Sequence, residues 1–459
     1  MEYKRDRAMN KLSILIATIV ILSSSAFGSD HITGILTLGD CFRLLQDRNP
    51  ELQSARENIA AAQSRHRIAV GQRYPNLTAG VSYSAVTEVM EMEFPDQTVQ
   101  LPPPADPISI PGRDVSFGDE DTAELRLSVG IPIYTGGQIG GNIRLSEVQV
   151  DLSHIEYRLM LQDLRSRLRA LYYQFLKADN TVDIIQEDVK QRQRHLEEVH
   201  HRQKQGMAIR IDILEAQVAL GKAQQDLLRM TNERECARLA LLSILNLPHD
   251  SPITFSKEQW DQPPDPAELP QLDVPMEQRA EIAAIGLELA AADIKLTLAN
   301  RARMPRLNFE GAGCWGRPGL DMVKNEWMAY AKAGLNLSFS LFQGGAIAAE
   351  AEEKQRIIRS LEARRYAIER QITLERQSAR LSVNTAQGNW ELAERLLETS
   401  EERLRVAQTM WQQGLASETA YQDARDALTQ SQLSLSSAIL DYRLAVVQLI
   451  KANGERVNP

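Results

Sequence analysis

His195, His200 and His201, in the stretch HLEEVHH, are the first side chains to weigh for metal or proton chemistry. Zinc held by a single helix needs two imidazoles four residues apart on one face, and this spacing provides no such pair. A solvated helix end is the expected setting, with no metal. Cys41, Cys236 and Cys314 lie far apart without ligand spacing and read as small buried or half-buried hydrophobes. The sequence contains no phosphate loop, nucleophile elbow or metalloprotease motif. No catalytic residue, cofactor or enzyme activity is expected. A formal charge of -9 argues against nucleic acid as a partner.

The informative residues are glycines. LRLSVGIPIYTGGQ, a long polar-apolar run and KQGMAIRIDILEAQ recur as AGLNLSFSLFQGGA, a second long run and QQGLASETAYQDAR. One offset relates Gly136-Gly137 to Gly344-Gly345 and also Gly206 to Gly414, which marks a duplicated unit. Glu281–Arg303 matches Glu51–Arg73, and Pro305 matches Pro75, at a larger offset that a shorter second surface loop explains.

Each unit supplies elements of two periods. Leu77, Ala79, Val81, Tyr83 and Ala85 alternate with small polar residues, as do Leu125–Ile133, Leu307–Trp315 and Ala331–Leu341. The Pro- and acid-rich segment between the first two runs is expected to be a long exposed loop. Four strands of about ten residues with one apolar face fit membrane-spanning β-strands; a half-buried antiparallel sheet fits the same pattern. Four strands cannot close a barrel, and lipid tolerates no open edge, so membrane crossing requires several chains.

Between Asn142 and Gln205 there is no Pro or Gly, and apolar residues at 145, 148, 152, 155 and 159, then 168 to 189, step by three and four. That predicts a helix of roughly 96 Å. Ala346–Gln413 repeats it, and helices of about 40 residues return after each tip. Residues 37–72 read as helix interrupted at Asn49-Pro50.

Basic residues before Leu12–Leu22 and small residues up to Gly28 predict a signal peptide at 1–28. The first repeat then covers 29–247, with a β-hairpin at 75–135 and a long helix at 138–205. A Pro-rich, irregular linker spans 248–275, and the second repeat covers 276–459, with a hairpin at 305–343 and a long helix at 346–413.

The corners SVGIPIYTGGQ and NLSFSLFQGGA, with the tips KQGMAIRIDILEAQ and QQGLASETAYQDA, resemble the TolC-like outer-membrane efflux family over essentially the whole mature chain. The resemblance implies an α+β membrane protein: a homotrimer whose long α-helical barrel continues into a transmembrane β-barrel, with four strands per protomer. It implies an outer-membrane exit duct of a tripartite efflux or secretion system, partnered by a periplasmic adaptor, an inner-membrane pump and outer-membrane lipid. A periplasmic coiled-coil adaptor or spacer without a pore is the alternative.

The resemblance places Asp423 on one position of an acidic entrance pair whose other position is Ala420, with Asp426 one turn beyond. It matches Asp212 to a gate aspartate whose arginine partner is Ala416 here, leaving Arg210 or Arg425 as substitutes. Gly206 and Gly414 become helix-tip turns where an adaptor docks, and Gly136, Gly137, Gly344 and Gly345 become strand-to-helix corners.

Overall fold

The computed structural model describes residues 34–257 and 275–454, apart from 100, 101, 103, 105, 107, 322, 323 and 325. The expected signal segment 1–28 and linker residues 258–274 lie outside the described residues. In chain order the elements are β1 (Gly34–Leu36), α1 (Leu38–Arg48), α2 (Pro50–Gly71), β2 (Asn76–Ala85), β3 (Met90–Phe94), β4 (Gln97–Val99), β5 (Ile108–Ile110), β6 (Arg113–Phe117) and β7 (Asp121–Tyr134). There follow α3 (Gln138–Lys204), α4 (Arg210–Ile244), β8 (Ile253–Phe255), α5 (Ala280–Asn300), β9 (Arg306–Arg317), β10 (Met328–Ser338), α6 (Ala346–Gln412) and α7 (Glu418–Asn453). The chain divides into two compact units, Met1–Asn49 with Leu168–Pro263 and Arg395–Leu440, and Pro50–Arg167 with Pro264–Glu394 and Asp441–Pro459.

The second of these units holds a four-stranded antiparallel sheet in the order β10-β9-β7-β2. Its register brings residues of like polarity together in most rows. Val81, Leu125, Trp315 and Ala329 share a row on one face, while Gly80, Arg126, Cys314 and Tyr330 share a row on the other. Leu77, Val81, Tyr83, Leu125, Leu127, Leu335 and Leu337 are all exposed. Pairing of β10 with β9 ends at Ser338 opposite Arg306, short of Leu341, because Pro305 has no N–H to continue the ladder.

The segment expected to be a long exposed loop is exposed but folds into two ribbons, β3 with β6 and β4 with β5. Met90, Met92 and Phe94 alternate with Glu91 and Glu93, a strand pattern that the surrounding prolines and carboxylates obscure.

Tight φ geometry accounts for the double-glycine corners. Gly136 and Gly137 sit at φ 62° and 83°, Gly344 and Gly345 at 59° and 87°. At Gly136 a Cβ would also lie 2.5 Å from the Met304 Cβ, whereas nothing lies within 4 Å of one at Gly344 or Gly345. In the same unit Tyr442, Ala445, Val446 and Leu449 of α7 pack on Ala379, Val383 and Ala386 of α6. Among the described residues α7 is long and apolar enough to cross a bilayer, but half of its most apolar window is buried within the protein, the mark of a core helix.

In the first unit β1 and β8 form a parallel pair, so part of the Pro-rich linker is ordered strand rather than irregular chain. Phe255 of β8 is buried edge-on to Phe175 at 5.0 Å, and the Tyr172 hydroxyl donates to the Ser256 carbonyl at 2.7 Å. The helical break falls at Asn49, whose amide donates to the Ile244 carbonyl and joins α1 to the end of α4. Thr37 opens α1: its N–H and hydroxyl both donate to Asp40, which holds that carboxyl below its ordinary range. Cys41 is buried in α1, where desolvation pushes its thiol up to about 12. Cys314 is buried too, but Cys236 is exposed and does not act as a hydrophobe of the core.

Candidate functional site

The two tips, at Gly206 and Gly414, lie in the first unit and are built alike. Met207 donates to the Arg202 carbonyl and Gly206 to that of Gln203; Leu415 donates to Met410 and Gly414 to Trp411. These six-to-one and five-to-two bonds are Schellman closures, and both glycines stand at φ 76°, where a Cβ is disfavoured. Two local devices restart the chain. Asp212 accepts from the Ile209 N–H at 2.8 Å, and Ser417 accepts from the Ala420 N–H at 3.1 Å.

Behind these turns Val199, Ile213, Ala216, Trp411 and Tyr421 form a small apolar core. His195 belongs to it. It is only 5% exposed, lies 4.8 Å from the Trp411 ring and 4.5 Å from the Tyr421 ring, and its Nε2 meets Glu418 Oε1 at 2.6 Å. The expectation of a solvated helix end therefore fails for His195. The ring packs against the stacked pair Trp411 and Tyr421, whose centroids are 5.4 Å apart, because residues 185, 188, 192, 195 and 199 of α3 step by three and four on the buried face. Arg202 lies over the outer side of Trp411, 4.1 Å from the ring centroid.

One turn further from the tip, the same stripe turns ionic. Asp188 accepts from Arg192 Nε at 2.6 Å and from Arg425 Nε at 3.2 Å. Arg192 also donates to Asp426 at 2.5 Å and to the Gln422 side-chain amide oxygen at 3.4 Å, and Gln422 donates to Glu418 at 2.7 Å. Burial opposes the Arg192 charge, but its bonds to Asp188 and Asp426 outweigh that and hold its pKa above the ordinary value. The result is a continuous polar chain from His195 through Glu418, Gln422 and Arg192 to Asp188 and Arg425, joining α3 to α7. Buried ions of this kind contribute little net stability when intact, yet losing one partner is costly. They set register between two helices, and water can replace them without exposing a wide apolar surface.

A groove of about 730 Å³ runs beside this network between α3, α4 and α7, lined by Asp188, Arg192, Leu214, Val218, Gln422 and Asp426.

The structure sorts the expected site residues. Asp423 is exposed on α7, and Asp426, 65% exposed, is tied to Arg192. Asp212 turns back onto its own helix end, while Arg425, a candidate partner for it, is occupied by Asp188. Sequence reasoning missed Asp188, Arg192, Glu418 and Gln422, and placed His195 in solvent. The available signal was the three-four stripe itself, which passes through Asp188 rather than the half-buried Val189. Among the described residues no group of three or more His, Cys, Asp or Glu could hold a metal ion.

The family described as outer membrane efflux protein matches residues 42–247 and 274–455. The outer membrane efflux protein BepC of Brucella suis is 30% identical over 135 residues, which are 29% of this chain and 29% of that protein. The outer membrane protein TolC of Vibrio cholerae is 20% identical over 304 residues, 65% of this chain and 69% of that one. The crystal structure of the outer membrane protein VceC from Vibrio cholerae superposes with a TM-score of 0.70 at 16% identity, covering 91% of this chain and 96% of that chain. At that identity the likeness shows a shared fold.

Proposed function

Because the chain belongs to the outer membrane efflux protein family, an outer-membrane channel family rather than an enzyme family, we propose that it is the exit duct of a tripartite efflux or secretion system. In this reading three copies assemble into one molecule. Their strands close a single transmembrane β-barrel that continues into an α-helical barrel in the periplasm; the two repeats of each chain, 29–247 and 276–459, each supply a β-hairpin and a long helix, and the second alone carries the acidic entrance candidates. Transport is passive, downhill through water, with energy supplied by an inner-membrane pump reached through a periplasmic adaptor. The cargo classes are small molecules, metal ions or polypeptides.

One observation carries the reading. The sheet β10-β9-β7-β2 ends in two strands whose outer edges have no partner among the described residues, and it exposes an apolar face, with Val81 81%, Leu77 68% and Leu335 67% exposed. Lipid would cover that face, but lipid does not tolerate the free N–H and C=O groups of β2 and β10. Pairing β10 of one copy with β2 of the next removes both edges. A row of exposed apolar residues on α6, including Leu374, Leu381, Leu392 and Leu396, gives neighbouring copies a second contact.

Within this assembly the tips form the periplasmic door. Asp423, exposed on α7, is proposed to ring the entrance, with Asp426 behind it and tied back to Arg192. Asp212 supports the gate by capping the helix that follows the first tip. The turns at Gly206 and Gly414 offer the adaptor its docking point. The ionic chain from His195 to Arg425 is the tie that opening must break.

Two experiments test this. Membrane fractionation should recover the protein only with detergent; a soluble periplasmic protein would favour the adaptor or spacer reading. In planar bilayers the purified protein should prefer cations, and Asp423→Ala should weaken that preference. Unchanged selectivity would move the entrance ring elsewhere.

A further inference from the structure

An arginine-lined pocket lies where the sheet of the second unit gives way to helix. It occupies about 450 Å³ between the end of α5 and the first turns of α6, lined by Asn300, Arg303, Glu352, Gln355, Arg356 and Arg359. Three guanidiniums thus face one carboxylate. Glu352 pairs with Arg356 at 3.1 Å, and the nearby Glu353 is taken by Lys354 at 3.0 Å. Arg303 and Arg359 have no carboxylate partner among the described residues, and both are exposed. A concave surface with two uncompensated guanidiniums suits an anion with several acceptor oxygens, above all a phosphate, which an arginine fork meets with two parallel hydrogen bonds.

The level of the pocket identifies which phosphate. Tyr74 precedes β2, Tyr134 ends β7, and Phe339 and Phe342 follow β10, and these four are 67%, 48%, 57% and 86% exposed. At the far end of the same strands stand Tyr83 at 69% exposure and Trp315 stacked on Trp327 at 4.5 Å. Aromatic side chains at both ends of an apolar band mark the two membrane–water interfaces. From Tyr134 to Leu125, which pairs with Trp315, the strand covers about 30 Å, enough for a tilted crossing of the apolar band. Arg303 comes three residues before β9 begins at Arg306, and the α6 arginines follow the Gly344-Gly345 corner, so the pocket sits just beyond the helical-side girdle. Arg303 thereby stands at the level of lipid headgroups, and Arg356 and Arg359, about 15 and 20 Å along α6 from its first residue, line the same pocket from the helical side.

We infer that Arg303, Arg356 and Arg359 form a binding site for the phosphate of an anionic phospholipid in the periplasmic leaflet. The site rests on the membrane placement argued above and adds a ligand to it. It holds the junction between sheet and helix at a fixed depth, as a charged anchor beneath the aromatic girdle.

The test uses the full-length protein in detergent, analysed by native mass spectrometry against phosphatidylglycerol and phosphatidylcholine of the same chain length. Wild type should retain phosphatidylglycerol at least about fivefold better, and R303Q/R359Q should lose that preference, at roughly fivefold per arginine. Both residues are exposed, so the variant should fold, and its oligomer mass is read from the same spectra. Equal retention of the two lipids by wild type, or an undiminished preference in R303Q/R359Q, would overturn the site. Displacement of phosphatidylglycerol by inorganic phosphate at low millimolar concentration would assign it to a free anion and overturn the lipid assignment. If the protein fractionates with membranes and these results fail, only the lipid site falls. If it fractionates as soluble, the membrane reading itself falls.

Discussion

Asp188→Asn isolates the charge of the residue on which the tip network converges. The carboxylate receives Arg192 at 2.6 Å and Arg425 at 3.2 Å, and the three side chains are 7%, 7% and 10% exposed. Asparagine keeps the shape and one acceptor oxygen, so two buried guanidiniums lose their shared counter-charge while packing is preserved. Breaking a buried ion pair costs about 3–5 kcal/mol. Arg192 retains Asp426, which is 65% exposed and screened by water, so the lower end of about 3 kcal/mol applies. The loss is read locally, since the end of a helix pair can open without global unfolding. Hydrogen exchange should therefore speed up by roughly 150-fold in peptides covering residues 185–199 and 411–426, at about 1.4 kcal/mol per tenfold. Asp226→Asn is the control. Asp226 pairs with Arg229 at 2.9 Å with both side chains at least half exposed, and its loss should cost no more than about 1 kcal/mol. Equal acceleration in the two variants would refute a buried tie between α3 and α7.

The other expectations concern separate parts of the chain. His195→Phe keeps a ring against Trp411 and Tyr421 but leaves Glu418, with a side chain 2% exposed, Gln422 as its one side-chain partner among the described residues; tip exchange should rise well beyond that of His200→Phe. Gly136→Ala meets both a positive φ and the Met304 side chain, whereas Gly345→Ala meets only the φ. Thermal unfolding should show the first costing about 1–3 kcal/mol more than the second, the usual range for overpacking. At Asp40 the carboxyl is held below its ordinary value by Thr37, so the bond stabilises above the unfolded pKa of about 3.9 and is lost as pH falls through the lower folded value. Protection of α1 in wild type should exceed that of Asp40→Asn above about pH 5, and the gap should narrow as pH falls below about 4; a gap independent of pH would contradict the assignment.

What the sequence by itself determined was whatever depends on local backbone geometry and repeating pattern. Alternation at Leu77–Ala85 and Leu125–Ile133 determines the two faces of strands β2 and β7, because side chains on a strand alternate whatever it pairs with. Gly136, Gly137, Gly206, Gly344, Gly345 and Gly414 were legible because a left-handed turn excludes most other residues on local grounds. The long helices were legible from runs without proline, the second with Gly388 as its one weak point. Tertiary structure decided which charges are buried. Asp188 and Arg192 stand four residues apart on a helix, the usual arrangement of a solvated pair. Only Arg425, 237 residues away from Asp188, and Glu418, 223 away from His195, turn that face into an interior. The ribbons of β3–β6 and the β1–β8 pair were hidden for a related reason: short strands have too few residues for a pattern, and their stability comes from the partner they meet. Burial is a property of the partner surface, and a single segment of sequence does not contain its partner.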